Sequence, residues 1–217
     1  MPADRPEHDG AATTVGILLY DGVDLLDAGG PYEVFLTASR LVARDGGRPP
    51  FEVLTTTADG APVTAMGGLG LVPHTSVAEL SADLLVVPGA VDLDRARRDP
   101  AVTAAMSALR DVPVHASVCV GAFLLADAGI LTDQPWTTHW EDHDELRQLL
   151  GTPGRPGWRW VDAGPVVSAG GLACGLDMAL HLVDRIEGRE LAERTARQLD
   201  HPWDGHPRHG AAEPSPR

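Results

Sequence analysis

Short runs of apolar residues alternate along the chain with longer segments in which apolar residues recur at helical spacing. Three runs, at residues 15–20, at 84–87 and from 114 onward, are almost wholly apolar, which is typical of strands that a sheet buries on both faces. Residues 51–57 alternate and are rich in β-branched side chains, which also predicts a strand. Helical spacing occupies residues 32–43, 100–109, 122–128, 141–150, 172–186 and 190–199. This order predicts an α/β fold with a mostly parallel sheet covered by helices.

Smaller features complete the predicted organisation. The glycine-rich residues 66–73 predict a small hairpin, and residues 158–161 and 166–168 predict two short strands around a turn. The polar ends predict a disordered lead-in at 1–12 and a disordered tail at 204–217. Residues 13–203 are therefore predicted to form a single domain without an internal repeat.

Composition narrows the chemistry that the domain can perform. The chain has 217 residues, a formal net charge of −14, and neither lysine nor asparagine. The negative charge argues against nucleic acid as a partner, because a phosphate backbone is bound by clustered basic residues. The missing lysine excludes Schiff-base chemistry and a Walker A phosphate loop. The scattered histidines lack metal-ligand spacing, so we expect no metal site.

No segment carries a membrane or secretory signal. No apolar run approaches the ~18 residues of a membrane span, and the first ten residues lack the apolar centre of a signal peptide. Cys119 and Cys174 lie far apart in unlike contexts, which argues against a disulfide. We therefore expect a cytoplasmic protein that has no membrane partner.

Cys119 is the first candidate for catalysis. It lies between a predicted strand and a predicted helix, where α/β folds place their chemistry. The free N–H groups of a helix N-terminus favour a thiolate, so we expect a lowered pKa for this thiol. Gly121 permits a close backbone approach, as in a nucleophile elbow, although Ser117 replaces the upstream glycine of that motif. The alternative is a small buried side chain without a catalytic role.

Other candidates follow the ends of predicted strands. Asp27 precedes the first predicted helix, where it is either a helix cap or a carboxyl group close to the thiol. The turn at Gly89 and Ala90 either exposes N–H groups that form an oxyanion hole or is an ordinary turn. His139, beside Trp140, is either a base or a packed structural imidazole.

Several segments together resemble one known family. They are Leu-Asp-Ala-Gly-Gly-Pro-Tyr-Glu-Val-Phe at 26–35, Leu-Leu-Val-Val-Pro-Gly at 84–89, Ser-Val-Cys-Val-Gly-Ala-Phe-Leu-Leu-Ala at 117–126, Thr-Thr-His-Trp at 137–140, and the segment 168–183. In this order they are similar to the ThiJ/PfpI superfamily, from about residue 14 to 203. The resemblance implies a flavodoxin-like three-layer sandwich related to the class I glutamine amidotransferases, with Cys119 as nucleophile.

The resemblance also implies a branch of the superfamily. Isonitrile hydratases carry an aspartate in a Leu-Asp-x-x-Gly-Pro segment, and Asp27 occupies that position, whereas protease-like members carry a glutamate. Protease-like members also have a histidine after the cysteine, and this chain has Val120, where isonitrile hydratases usually have threonine. The implied reaction is hydration of an isonitrile to an N-formamide, with Cys119 as the attacking thiolate and Asp27 as a protonated acid and base.

The implied site extends beyond these two side chains. Backbone N–H groups of Gly89, Ala90 and Val120 are expected to hold developing negative charge. Candidates for the pocket wall are Gly29, Gly30, His139 and Trp140. The resemblance implies no cofactor, a small-molecule substrate, and a homodimer, since members commonly dimerise through helices beside the elbow.

Two other functions stay open. The chain is also similar to the ligand-sensing half of AraC-type regulators, which makes a ligand sensor, or an oxidation sensor in which Cys119 becomes a sulfinate, an alternative. A cysteine-dependent enzyme that acts on another small molecule, such as a carbonyl compound or a natural product, is the third interpretation.

Overall fold

The computed structural model describes residues 11–208. The strands in this part of the chain are β1 (Thr13–Leu18), β2 (Phe51–Thr57), β3 (Val63–Thr64), β4 (Gly70–Leu71), β5 (Thr75–Ser76), β6 (Leu84–Val87), β7 (Val114–Ser117), β8 (Trp160–Asp162) and β9 (Val166–Ala169). The helices are α1 (Leu25–Arg44), α2 (Leu93–Arg98), α3 (Pro100–Ala108), α4 (Gly121–Asp127), α5 (His143–Leu150), α6 (Cys174–Glu187) and α7 (Arg189–Gln198).

A seven-stranded sheet organises the domain. Its strand order is β5-β2-β1-β6-β7-β9-β8, and every neighbouring pair is parallel except β8 with β9. All four residues of β6 are buried, because the central strands are covered on both faces. The predicted α/β fold with a mostly parallel sheet flanked by helices is confirmed.

The direction of winding changes between β1 and β6. The chain runs outward from β1 to β2 in one direction and from β6 to β7 in the other, so right-handed crossovers place the connecting helices on opposite faces. On one side α1, α6 and α7 contact one another, and on the other α4 contacts α2, α3 and α5. The crevice beyond the strand ends at such a reversal is where α/β folds bind ligands.

The first helix begins seven residues earlier than its apolar spacing predicts. Asp24 caps α1, since its side chain accepts a hydrogen bond of 3.0 Å from the N–H of Leu26. Gly30 and Pro31, which precede the predicted helical stretch at 32–43, therefore lie well inside the helix. Pro31 has no N–H to donate, and this leaves the carbonyl of Asp27 without its usual helical donor. Asp27 belongs to the first turn of α1 and does not precede the helix.

Most of the smaller predicted features are present. A hairpin occurs near the hairpin or excursion predicted at 66–73, but it begins earlier, since its strands β3 and β4 start at Val63 and Gly70. The two short strands predicted at 158–161 and 166–168 correspond to the antiparallel pair β8 and β9. The short helix α2 was not predicted; the Asp92 side chain, which accepts from the N–H of Arg95, caps it. Within residues 11–208, no helix combines the length and the apolar character that crossing a membrane requires.

The structure describes the first five residues of the predicted tail, 204–208. Residues 204–208 have defined contacts: the Arg159 N–H donates to the Pro207 carbonyl at 2.7 Å, and Arg189 donates to the Asp204 carbonyl at 2.6 Å. The Arg208 guanidinium lies 4.9 Å from the centre of the Trp158 ring. These polar residues are fixed by arginines from other parts of the domain, which local composition does not reveal. Residues 1–10 and 209–217 of the predicted ends lie outside the described part.

Candidate active site

Cys119 lies on the turn between β7 and α4, at the C-terminal end of the sheet. Its backbone has a positive φ of 56°, a conformation that costs a residue with a Cβ about 1–2 kcal/mol. Its N–H donates to the Gly170 carbonyl at 2.9 Å, so the turn is tied to the segment after β9. Gly121 is required here, because a Cβ at this position would lie 2.1 Å from the Val87 carbonyl oxygen. The structure thus holds Cys119 in a strained strand-to-helix turn.

Asp27 approaches this turn from the first turn of α1. Its side chain is fully buried, and Oδ2 accepts a hydrogen bond of 3.0 Å from the N–H of Gly89. Oδ1 is buried without a partner of ordinary hydrogen-bond geometry among the described residues. Burial raises the pKa of Asp27 to about 7, and the Asp24 carboxylate adds to the rise, while the Gly89 N–H and the Cys119 thiol oppose it. The structure therefore brings Asp27 and Cys119 together, as the second interpretation of Asp27 requires.

The thiol does not have the lowered pKa that its position before a helix suggests. Burial raises the pKa of Cys119 to about 12, and the negative charge of Asp27 adds to the rise, against the effect of two backbone N–H groups. The helix N-terminus favours a thiolate, but the desolvation of the thiol outweighs this effect. Both shifts are upward, so burial and the repulsion between the two ionised forms favour proton retention at the pair and a thiol over a thiolate at Cys119. The direction of the thiol shift does not favour the thiolate beside a protonated Asp27 that the resemblance implies.

The backbone donors differ in part from those predicted. The N–H of Gly89 is occupied by Asp27, so it is not a free oxyanion donor in this state. The N–H groups of Val120 and Leu172 interact with the Cys119 sulfur and lower its pKa. Ala90 lies opposite Val23 in an isolated antiparallel β-bridge. Next to this bridge, the N–H of Asp24 donates to the Gly89 carbonyl at 2.9 Å.

Leu172 is the donor that sequence reasoning missed. It has a positive φ of 45°, follows Gly170 and Gly171, and is 39% exposed beside the half-buried Cys119. The glycine pair was visible in the sequence, but nothing in the spacing relates it to Cys119. The link is tertiary, through the hydrogen bond from Cys119 to Gly170.

His139 and Trp140 lie next to the loop that contains Gly171 and Leu172. The His139 ring packs against Gly171, where a Cβ would lie 2.3 Å from its Cδ2 atom. Its Nδ1 lies 3.3 Å from an oxygen of Asp142, and its ring lies 5.6 Å from that of Trp140, which is 75% exposed. These contacts favour the interpretation of His139 as a packed imidazole.

The two glycines predicted to line the pocket separate in the structure. Gly29 lines an apolar groove of about 240 Å³ together with Tyr32, Val72 and His74. Gly30 faces inward, and a Cβ there would lie 3.5 Å from Leu176 of α6. Gly30 therefore serves helix packing and is not a wall of the pocket.

No set of three or more histidine, cysteine, aspartate or glutamate side chains suited to holding a metal occurs in the described part of the chain. Cys174, the second cysteine, lies at the start of α6, and burial raises its pKa as well. The thiol of Cys119 and the carboxyl group of Asp27 are a nucleophile and an acid or base that lie within reach of each other.

A buried carboxyl group beside a cysteine, at the winding reversal of a parallel sheet, defines the class of α/β proteins with a cysteine-centred site. The chain belongs to the DJ-1/PfpI family, whose model matches residues 13–184. The resemblance to the ThiJ/PfpI superfamily is thereby confirmed.

The individual proteins to which the chain is similar include both an enzyme and a transcriptional regulator. The chain is 31% identical over 195 residues to an isonitrile hydratase from Pseudomonas putida, covering 88% of this chain and 79% of that protein. It is 28% identical over 207 residues to the HTH-type transcriptional regulator GbdR of Pseudomonas aeruginosa, covering 90% of this chain and only 55% of the regulator. A ThiJ/PfpI family protein from Pseudomonas syringae superposes with a TM-score of 0.77 at 23% identity, covering 94% of this chain and 84% of that one.

Proposed function

We propose that the chain is an enzyme that hydrates an isonitrile to an N-formamide at Cys119. The observation that carries this proposal is the pairing of the half-buried Cys119 thiol with the fully buried Asp27 carboxyl group, which together supply one nucleophile and one acid and base. The similarity to an isonitrile hydratase supports the same reaction.

The first step is addition of the thiol across the terminal carbon of the isonitrile. Asp27, as carboxylate, takes the proton from Cys119 while sulfur forms a bond to that carbon, and the carboxylic acid then gives the same proton to the carbon. The product is a thioimidate, Cys–S–CH=N–R, and no proton is gained or lost overall. A carboxyl group with a pKa of about 7 suits both halves of this transfer at neutral pH.

The second step is hydrolysis of the thioimidate. Asp27 takes a proton from water as the water oxygen attacks the carbon, and it passes that proton to nitrogen. The carbon–sulfur bond of the resulting Cys–S–CH(OH)–NH–R then breaks, the hydroxyl proton moves through Asp27 to sulfur, and the formamide HC(=O)–NH–R leaves. The pair returns to a thiol and a carboxylate, so one water is consumed in each cycle.

The backbone N–H groups of Val120 and Leu172 stabilise negative charge on the Cys119 sulfur in both steps. They face the atom that carries negative charge when the carbon–sulfur bond forms and breaks, and so stabilise it without a cationic side chain. Val120 has no hydroxyl group, so any polar help from this residue comes from its backbone.

The experiment that tests this function compares four proteins on an aryl isonitrile, with formamide followed by ultraviolet absorbance. Wild type and Cys174→Ala should both turn over, whereas Cys119→Ala and Asp27→Asn should lose at least ~100-fold in kcat/KM. Cys174→Ala makes the same change at the other cysteine and controls for loss of a thiol. Full activity in Cys119→Ala would refute the assignment of the nucleophile.

Sensing is a second candidate, supported by the likeness to the regulator GbdR. In an oxidation sensor, two successive equivalents of hydrogen peroxide would convert Cys119 to a sulfinate with release of two water molecules. The raised pKa of this thiol works against that chemistry, because the thiolate is the reactive form. Equal oxidation of Cys119 and Cys174 by mild peroxide, measured by peptide mass spectrometry, would exclude the sensor.

A further inference from the structure

The peptide group that joins Pro88 to Gly89 is held at both ends. Its carbonyl oxygen accepts a hydrogen bond of 2.8 Å from the Tyr20 hydroxyl, and its N–H donates at 3.0 Å to Asp27 Oδ2. The two bonds share one planar, conjugated group, so Tyr20, the peptide and Asp27 form a continuous hydrogen-bonded chain.

The surroundings fix this chain in place. Tyr20 is 5% exposed and lies two residues after the end of β1, so its ring is anchored in the core. A Cβ on Gly121 would lie 3.0 Å from the Pro88 oxygen, and a Cβ on Gly89 would lie 2.9 Å from both Asp27 Oδ2 and a methyl group of Val120. The peptide is packed on both sides and cannot rotate to exchange partners.

A hydrogen bond to a peptide carbonyl polarises the N–H at the other end of the same group and strengthens the bond that this N–H donates. The Gly89 N–H stabilises the ionised form of Asp27, as a donor to a carboxylate does. We propose that Tyr20 is a positioning residue which, through the Pro88–Gly89 peptide, controls how tightly Asp27 holds its proton. Tyr20 donates a hydrogen bond to the Pro88 carbonyl and not to Asp27 or Cys119, although both of these groups are near enough to interact with it electrostatically.

Other titratable groups around Asp27 stay in place when the hydroxyl is removed. Asp24 interacts with Asp27 from the start of α1, Cys119 from the strand-to-helix turn, and Cys174 from the start of α6. Burial raises the pKa of Tyr20 far above its ordinary value, so the hydroxyl remains a donor across the working pH range. The change from tyrosine to phenylalanine therefore isolates the hydrogen bond.

The test follows Asp27 by infrared difference spectroscopy, using the carbonyl stretch of its protonated form, which is identified by its absence in Asp27→Asn. In Tyr20→Phe the titration midpoint should move to higher pH by about half a unit, because the carboxylate loses part of its stabilisation. Tyr32→Phe removes the hydroxyl of the chain's other tyrosine, which stacks on His74, and should leave the midpoint unchanged. An unchanged midpoint in a folded Tyr20→Phe protein would overturn the proposal.

A second variant tests the same proposal if Tyr20→Phe does not fold. In the Tyr32→Phe background Tyr20 is the sole tyrosine, so biosynthetic incorporation of monofluorotyrosine replaces this one hydroxyl by a stronger donor. The midpoint should then move to lower pH, and no movement or an upward movement would again refute the proposal.

The consequence for catalysis rests on the proposed function. The acidic limb of kcat/KM for isonitrile hydration should shift with the infrared midpoint in each variant. A shifted midpoint in a protein without turnover would uphold the role of Tyr20 and refute the hydratase, so the two failures are distinguishable.

Discussion

Replacing Asp27 by asparagine should make the pH dependence of stability smaller, by an amount that the structure defines. The folded protein raises the pKa of this carboxyl group from 3.8 to about 7. Each pH unit corresponds to about 1.4 kcal/mol, so the difference of roughly three units is worth about 4 kcal/mol.

The sign follows from which state binds the proton more tightly. Between pH 3.8 and about 7 the folded chain holds a proton on Asp27 that the unfolded chain has released. The stability that this proton supplies is complete below the unfolded pKa, is lost as the pH rises through the folded pKa, and is absent above it. Asparagine is neutral at every pH, so the Asp27→Asn variant does not lose this stability as the pH rises.

The assay is urea unfolding of wild type and Asp27→Asn between pH 4 and 8, followed by tryptophan fluorescence. The free energy of unfolding of the variant minus that of wild type should increase by about 4 kcal/mol from pH 4 to pH 8, whatever fixed cost the amide adds. Asp99→Asn is the matched control, because Asp99 is the partly exposed N-cap of α3 and asparagine is also a favoured N-cap residue. This variant should show no such increase. A difference that is flat with pH for Asp27→Asn would refute the electrostatic account of the site.

Four further outcomes follow from the same geometry. Asp27→Asn should lower the pKa of the Cys119 thiol by removing a negative neighbour, so alkylation of Cys119 by iodoacetamide at pH 8 should become at least roughly threefold faster; an unchanged rate relative to Cys174 would contradict this. Cys119→Gly should be more stable to urea than Cys119→Ala by about 1 kcal/mol, because only glycine accepts the positive φ without strain, and the opposite order would show that the turn is unstrained. Gly89→Ala should reduce isonitrile turnover at least ~10-fold, since its methyl group displaces Asp27 or Val120; normal kinetics would place the carboxyl group outside the reaction. The homodimer is also a prediction, and sedimentation velocity at micromolar concentration should give a dimer mass, whereas a monomer mass would exclude it.

Much of the fold was predictable because parallel strands buried on both faces have a plain sequence pattern. The strand β6 is apolar throughout and β1 and β7 are largely so, and glycines that follow α4 and α5 mark the ends of these helices in the local sequence. The start of α1 was missed because Gly-Gly-Pro suggests a break, whereas the Asp24 cap and the contact of Gly30 with Leu176 hold these residues in the helix.

The two side chains of the candidate site, Cys119 and Asp27, were predictable from the sequence, whereas some of its backbone donors and its electrostatics were not. Cys119 and Asp27 stand out by motif, and the resemblance to a family pairs them. The proton arrangement depends on how deeply both groups are buried and on which N–H groups face them. Leu172 and Tyr20 reach the pair only through tertiary hydrogen bonds, which neither propensity nor spacing encodes.

The central claim is that Cys119 adds to the carbon of an isonitrile, and the most direct measurement is mass spectrometry of a reaction quenched in acid during turnover of an aryl isonitrile. The account predicts a protein species heavier by the full mass of the isonitrile, mapped to the peptide that contains Cys119, together with the absence of both this species and formamide in Cys119→Ala. An adduct on Cys174, or formamide from Cys119→Ala at the wild-type rate, would contradict it.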